Sequence, residues 1–592
     1  MIFYANTCLT FLSLSYMLYK FAAINMASFS AFTFFTLFAL YFFFKGQLCK
    51  KTTYIGETTL WGFSFILSLM TLTGYYLDNA LPFAAMSLTE FLMYLVCVMG
   101  VAPLFKCLLV NLYLYVEAFA RKERNSAMAQ RSGLRTWLYA FMVIFVCWLP
   151  VWLAFYPGLW NYDPWQVWQY LNNEYDKMHP LLHTLLMGVC YTSGFTTENA
   201  NKGVMLYDFI QMSFMAGVFA YAYTYIAQHI RSHVFCLCTL LFFAIFPVNS
   251  IMAISSTKDV IFSGLILLCL VLSVQYLGPD SKREWRTVLF LMFCMVLMTL
   301  FRNNASYALV LTLILAFFMR KFQPMGKKIF LFILLCLLVF ELSDWGLSTA
   351  LSAQRGAPKH IKEALSVPSQ QFGRIYNVIH DAETKKIIES FYNVEGLKFY
   401  NPHLADLMKS SLIGDKKSTT VPWKHAWDYV RTILFLAVKY PLVTLDSFLY
   451  TTEGSWYIHD ISHSRVYGDL QGQAYLSFRV EPGFNIVHES KFPFLKSLLE
   501  RAFSDNEYQN LPLIPVFFAP AFYIWILLFC TIGFWKTRQR NYLFMTEFFW
   551  FLLLTVLAGP CILVRYVYPF IVCAPMFCCM LIRSIQALHA TR

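Results

Sequence analysis

Charge is what this sequence has least of: Asp, Glu, Lys and Arg make up 13% of its 592 residues, against about 25% in a soluble domain. With 58% of the chain hydrophobic, a water-soluble fold would have to expose large apolar patches. Lipid is the solvent that removes the conflict. Also lacking are zinc-ligand spacing and a disulfide framework. Sixteen cysteines are present, but most lie inside apolar runs such as Phe577-Cys578-Cys579-Met580, where they pack as small hydrophobes. No basic leader and no small-residue cleavage site accompany the first apolar run, so it reads as a retained anchor helix. No repeat of fixed period and no low-complexity tract stands out. The net charge of +13 would suggest nucleic acid in a soluble protein. Here the basic residues sit in short loops between apolar stretches, which makes membrane lipids the partner and excludes nucleic acid.

What the chain does have is aromatic residues and long apolar runs. Phe, Tyr and Trp reach 19% and cluster near segment ends, where Tyr and Trp suit the headgroup belt. A bilayer core needs about 20 apolar residues per helix. Segments near 4–24, 27–44, 58–77, 84–109, 136–156, 203–228, 233–250, 259–277, 286–301, 304–320, 328–346, 513–535, 542–559 and 562–583 qualify. The expected fold is therefore an all-α polytopic membrane protein with about 14 transmembrane helices and an extracytoplasmic, mainly helical loop domain. The loop cations test this. Lys45, Lys50 and Lys51; Arg121, Lys122, Arg124, Arg131 and Arg135; Arg231; Lys282, Arg283 and Arg286; Arg320, Lys321, Lys327 and Lys328; and Lys536, Arg538 and Arg540 all fall on one side with these spans. The positive-inside rule makes that side the cytoplasm, so both termini are expected there and the chain in the plasma membrane.

Residues 180–195 are apolar but short, and a crossing there would reverse every later loop; they are expected to lie in or re-enter the interface. Four regions follow. Residues 1–135 form an N-terminal four-helix membrane region with a basic cytoplasmic loop, and 136–346 a membrane core whose first outer loop is 157–202. Residues 347–512 form an extracytoplasmic domain broken by Pro358, Pro368, Pro402 and Pro422, and 513–592 a C-terminal three-helix region. Within the outer domain, Asp428 to Tyr450 is apolar but holds Arg431, Lys439, Pro441 and Asp446, as an amphipathic surface helix would.

The first outer loop carries the chemistry. Pro157-Gly158 ends a helix with residues that do not continue it comfortably, and Asp163 follows at or just above membrane depth. Flanked by Tyr162, Trp165 and Trp168, its carboxylate is expected to have a raised pKa and to serve as a proton acceptor, unless a nearby cation pulls the pKa back. Asp163 would equally cap a helix beginning at Pro164. His179-Pro180 and His183 open the short segment; four residues apart, the imidazoles would share a helical face and contact a hydroxyl or phosphate, or simply form a polar edge. They lack further ligands at metal spacing, so no metal site is assigned. Lys258-Asp259, Arg302 and Arg565 fall at the outer ends of later helices, where charge is costly unless paired or lining a wet cavity. Asp259 with Arg302 is one candidate ion pair. Three cations on one face also suit a lipid phosphate.

Together these features resemble the C-type (GT-C) membrane glycosyltransferases, specifically a bacterial branch. The likeness rests on an Asp early in the first outer loop, a His-Pro turn into an interfacial helix, and Lys-Asp, Arg-Asn and Arg565-Tyr566-Val567-Tyr568-Pro569 motifs at outer helix ends. Val367-Pro368-Ser369-Gln370-Gln371-Phe372-Gly373-Arg374 and Asn401-Pro402-His403-Leu404-Ala405-Asp406 add to it. It covers most of the chain from about 136 onward and leaves out the first four helices. The resemblance implies transfer of a sugar from a polyprenyl-phosphate donor to a cell-envelope glycan or lipid acceptor, with inversion. It places the catalytic base at Asp163, donor phosphate contacts at Lys258, Arg302 and Arg565, and sugar contacts at Tyr162, Gln166, His179, His183 and Asp259. Many members carry paired acidic residues or His-Pro-Pro in this loop, whereas Leu181 follows His179-Pro180 here. The role of His179 and any need for a divalent metal therefore stay open. Trp423, Trp427, Trp456 and Tyr457 are candidates for acceptor contact but read mostly as domain core. A transporter or lipid-linked-sugar flippase, and an inactive scaffold of the same fold, are the competing readings.

Overall fold

A computed structural model describes residues 2–22, 30–124, 133–161, 163–177, 179–194, 199–278, 284–319, 324–353, 364–413, 423–458, 483–503 and 507–590. Among them there is no β-strand, only isolated bridges such as Leu159 with Ser255. Helix occupies every one of the expected apolar segments. The first five helices are α1 (Ile2–Ala22), α2 (Ser30–Gln47), α3 (Glu57–Asp78), α4 (Leu88–Arg124) and α5 (Gly133–Ala154). Two short ones follow in the loop after α5, α6 (Gln166–Asn172) and α7 (Leu181–Ser193). Then come α8 (Asn201–His229), α9 (His233–Ile245), α10 (Pro247–Ala253), α11 (Lys258–Leu277), α12 (Trp285–Phe301), α13 (Asn303–Met319) and α14 (Pro324–Ala350). Of the loop cations, Arg131, Lys282, Arg283, Arg320 and Lys321 lie outside the described residues.

Length decides which helices can cross a bilayer. Seven are long and apolar enough by themselves: α3, α4, α5, α8, α11, α14 and the last helix of the chain; two bent pairs would bring the number to nine. Length accounts for part of the difference from fourteen; α1, α2 and the helix Arg540–Leu557, with 21, 18 and 18 residues, are not short. α12 and α13 have 17 residues each and rise about 26 Å, short of a hydrocarbon core of about 30 Å. α7, with 13 residues, rises only about 20 Å, in keeping with a segment that does not cross. α9 and α10 bend by 43° at Pro247, whose missing N–H and ring break the helical ladder.

After α14 the chain forms short helices: α15 (Ser366–Val378), α16 (Ala382–Glu389), α17 (Val394–Leu397), α18 (Asp406–Ser410), α19 (Trp423–Lys439) and α20 (Pro441–Thr452). The single amphipathic helix expected over 428–450 is two, because Pro441 starts a new helix at 108° to the old one. These helices share a core of Phe372, Ile375, Tyr392, Tyr429 and Leu436. Backbone hydrogen bonds help to fasten them to the rest. The Asp446 carboxylate accepts from the backbone N–H of Phe83 (2.9 Å) and Ala84 (2.8 Å), and Ala405 N–H donates to the Pro560 carbonyl (2.8 Å). Tyr457 is buried, but its ring lies against Gly74 of α3, outside the core these short helices share, and Trp427 is 69% exposed, so neither belongs to the expected domain core. The Trp423 side chain is outside the described part.

The chain returns through α21 (Pro493–Phe503), α22 (Ile514–Phe518), α23 (Pro520–Lys536), α24 (Arg540–Leu557) and α25 (Val564–Ala590). The main core joins α5, α8 to α11 and α23 to α25 through Trp148, Phe219, Phe243, Leu267, Phe549 and Phe577. α11 is the most enclosed of the long helices, which places its first residues, Lys258 and Asp259, at the centre of one end of the bundle.

Candidate functional site

The loop after α5 is pinned to the segment before α11 by backbone. Leu159 N–H donates to the Ile254 carbonyl (2.9 Å) and Ser256 N–H to the Leu159 carbonyl (3.0 Å). One residue on, the Ser256 hydroxyl donates to the Asn161 carbonyl (2.8 Å) and accepts from its N–H (2.9 Å). The turn entering this splice needs glycine. Gly158 has φ +150°, and a Cβ there would stand 1.7 Å from Oδ2 of the buried Asp208. Gly158→Ala is therefore expected to cost about 2–4 kcal/mol, from backbone strain and overpacking together. The check is a lower melting temperature of the purified protein; an unchanged one would mean the splice gives way without penalty.

With the loop fixed, Asp163 lands on the start of α11. It is 4% exposed. Its Oδ2 accepts from the Thr257 hydroxyl (3.0 Å) and the Lys258 N–H (3.3 Å), and its Oδ1 from Lys258 Nζ (3.1 Å). The helix after Asp163 starts at Gln166 with no side-chain cap, so the carboxylate does not cap a helix at Pro164. It sits instead at the N-terminus of α11, where the exposed amides and the helix dipole favour an anion.

Asp259, fully buried, pairs with Arg302 and shares the Thr257 hydroxyl (3.1 Å). Arg302 is the lone extended residue between α12 and α13. Its guanidinium lies over the rings of Phe262 (5.5 Å) and Tyr566 (5.0 Å). Arg565, in the first turn of α25, reaches both acids, 3.8 Å from Asp163 and 3.9 Å from Asp259, and donates to the Tyr566 hydroxyl (2.9 Å). Two carboxylates and three cations from four distant segments thus share one buried cluster, with one positive charge in excess.

A chain of polar side chains leads away from it. His179 Nδ1 lies 3.2 Å from Lys258 Nζ and 3.3 Å from Gln166 Nε2. Gln166 Oε1 meets His183 Nδ1 (2.9 Å), whose Nε2 meets the Tyr207 hydroxyl (2.9 Å); that hydroxyl donates to Gln211 Oε1 (3.0 Å). The imidazoles do not share a helical face, since His179 precedes α7 and His183 lies within it; Gln166 joins them. Tyr162 lies outside the described residues. Trp165 and Trp168 are exposed, and both pack on Phe484 (5.9 and 5.6 Å). Charge rather than aromatic surface therefore surrounds Asp163.

That setting reverses the expected pKa. Burial works to raise the Asp163 carboxyl, but Lys258, and next Arg565, outweigh it and hold the group well below the usual carboxylate range. Burial, aided by Lys258, pulls His179 down to about 4, so it is neutral at physiological pH. Beside it opens a polar cavity of about 200 Å³, walled by Lys177, His179, Asn303, Tyr307, Glu341 and Asp344, with Lys177 paired to Asp344. Among the described residues no group of three or more His, Cys, Asp or Glu side chains is placed to hold a metal.

Sequence reasoning missed Thr257 as the hydroxyl shared by the two acids, Asp208 beneath Gly158, and the Tyr207–Gln211 end of the polar chain. Asp208 had a signal: a carboxylate eight residues into a long apolar helix is a functional or structural flag by default. Residues 166–591 match the model of a family of unknown function, DUF6020. The chain belongs to the DUF6020 family. No curated protein and no solved structure matches it. In this DUF6020 chain the matched stretch takes in Lys258, Asp259, Arg302 and Arg565, while Asp163 stands just before it.

Proposed function

We propose that this DUF6020 protein is a membrane glycosyltransferase that moves a sugar from a polyprenyl-phosphate donor to a cell-envelope acceptor. The observation that carries the reading is the convergence of Asp163, Lys258, Asp259, Arg302 and Arg565 in one buried cluster beside a polar cavity. Inverting transfer needs one base at the acceptor hydroxyl and positive charge at the leaving phosphate. In the proposed step the acceptor oxygen bonds to the anomeric carbon as its proton passes to Asp163. The bond from that carbon to the carrier phosphate breaks, and Lys258 and Arg565 take up the charge left on the phosphate. An arriving phosphate would compete with Asp163 for those two cations, and losing them would restore basicity to the carboxylate.

The proposed topology has about fourteen crossings in the plasma membrane. The short helices α12, α13 and α23 count among them, both termini face the cytoplasm, and the 347–512 region covers the cluster from outside. The positive-inside pattern of the loops supports it. Gln166, His179 and His183 would order the sugar. A flippase is the competing class, because paired charges at membrane depth also mark transport routes.

Vesicles holding the purified protein, a labelled polyprenyl-phosphate sugar and an acceptor glycan separate the two. The expected result is label in a new glycosidic bond. Movement of labelled lipid across the bilayer without any new bond would replace this reading with the flippase.

A further inference from the structure

At the other end of the bundle lies a second feature that the cluster does not use. α11 runs about 30 Å from Lys258 to Leu277, and there the Leu277 carbonyl accepts from Asn541 Nδ2 (2.7 Å). This bond ties the start of α24 to the end far from Asp163. Between α13, α23 and α24 a cavity of about 630 Å³ opens, with Leu315, Phe534 and Leu543 on its apolar wall and Lys536, Arg538 and Arg540 at its edge. No ion pair among the described residues involves any of the three cations, and Glu547, the acid on the same wall, does not come within pairing distance of them. α24 begins at Arg540 with no side-chain cap on its first turn, so a helix N-terminus adds its amides to the positive edge.

A second cavity makes the site amphipathic. Phe544 lines the basic cavity and also an apolar one of about 220 Å³, walled by Leu270, Met295, Ile333 and Phe548, with Lys328 among its lining residues. Lys536 has the Trp535 ring beneath it (3.9 Å) but no carboxylate; cations without an acid at a helix end, joined by one aromatic side chain to an apolar chamber among α11 to α14 and α24, match one chemistry: a phosphate group carrying a long hydrocarbon chain. We propose that this is a binding site for an anionic phospholipid of the leaflet opposite the Asp163 cluster. The headgroup phosphate lies against Lys536, Arg538 and Arg540, and an acyl chain passes Phe544 into the apolar cavity. Basic pockets between membrane helices hold acidic headgroups in this way. The site is independent of the sugar-transfer reading.

The test titrates the purified full-length protein in detergent with fluorescent dioleoyl phosphatidylglycerol, with dioleoyl phosphatidylcholine as the neutral probe. The glycerol lipid is expected to bind at least about tenfold more tightly, each cation near the headgroup adding to the attraction. Lys536→Gln/Arg538→Gln/Arg540→Gln is expected to erase that preference, whereas Lys398→Gln, at an exposed and remote pair, leaves it intact. Should the triple variant not fold, Arg540→Gln alone is expected to weaken phosphatidylglycerol binding measurably. Equal affinity for the two lipids, or an unaltered preference in the triple variant, overturns the site. Displacement of the lipid by millimolar inorganic phosphate assigns the cations to a soluble phosphate and overturns the lipid. Dihexanoyl phosphatidylglycerol binding as tightly as the dioleoyl form overturns the role of the apolar cavity.

Discussion

Asp163→Asn removes sugar transfer while the protein still inserts and accumulates in the membrane. The expected loss is at least about 100-fold, the scale of a general base. Asparagine is nearly isosteric, and its carbonyl oxygen can still accept from Thr257 or from the Lys258 N–H, so the splice between the outer loop and α11 survives. What disappears is the group that takes the acceptor proton, together with the counter-charge of Lys258. Undiminished transfer by the variant would remove Asp163 from the reaction.

The pH dependence has a definite sign. The folded-state pKa of Asp163 is depressed, so its stabilising contribution is complete above the unfolded value of about 3.9. It is lost only as the pH falls through the lower folded value. The difference in melting temperature between wild type and Asp163→Asn is therefore expected to stay level from pH 8 to pH 5. A difference that fades between pH 7 and pH 5 would show that Lys258 and Arg565 do not control the carboxylate.

The sequence made some parts of this fold legible and hid others, for physical reasons. Apolar runs report helices because a helix satisfies its own backbone in lipid, and helix duly fills all fourteen segments. Crossing is harder to read. Runs of 17 residues such as α12 and α13 are short of the hydrocarbon thickness, so periodicity finds the helix without settling the span. At the site, residue types were informative: a carboxylate or cation at a helix end in an apolar chain has few affordable places to go, and Asp163, Lys258, Asp259, Arg302 and Arg565 meet. Partners were not legible. Asp163 carries no mark that it binds α11 rather than its own helix, because that contact depends on a splice made by the backbone of Leu159 and Ser256 and the Ser256 hydroxyl, which no periodic pattern announces. The pKa direction failed for the same cause, since Lys258 is 95 positions away in the chain and 3.1 Å away in space. Gln166 and Thr257 are neutral residues whose importance appears only when the groups they bridge are seen together.

Arg302 and Arg565 carry the same charge and are expected to fail differently. Arg302 is buried, and its partner Asp259 has no exposed surface. Arg302→Gln leaves that carboxylate enclosed without its closest cation, a change that costs about 3–5 kcal/mol when a buried pair is broken on one side. Against total stabilities of about 5–15 kcal/mol, membrane yield and melting temperature should both drop sharply. Adding Asp259→Asn removes the stranded charge, so the double variant is expected to recover most of the yield without recovering activity. Arg565 pairs with both acids at 3.8 and 3.9 Å, and each acid also has a nearer cation. Arg565→Gln leaves Lys258 on Asp163 and Arg302 on Asp259, so the protein should accumulate normally while the apparent KM for the polyprenyl-phosphate donor rises at least tenfold, roughly the weight of a charge-assisted contact to phosphate. Yield, melting temperature and donor kinetics on the four proteins decide the matter. If Arg302→Gln accumulates like wild type, the Asp259 pair does not hold the bundle together. If Arg565→Gln binds donor as tightly as wild type, the phosphate does not rest on α25, and the excess positive charge of the cluster has some other use.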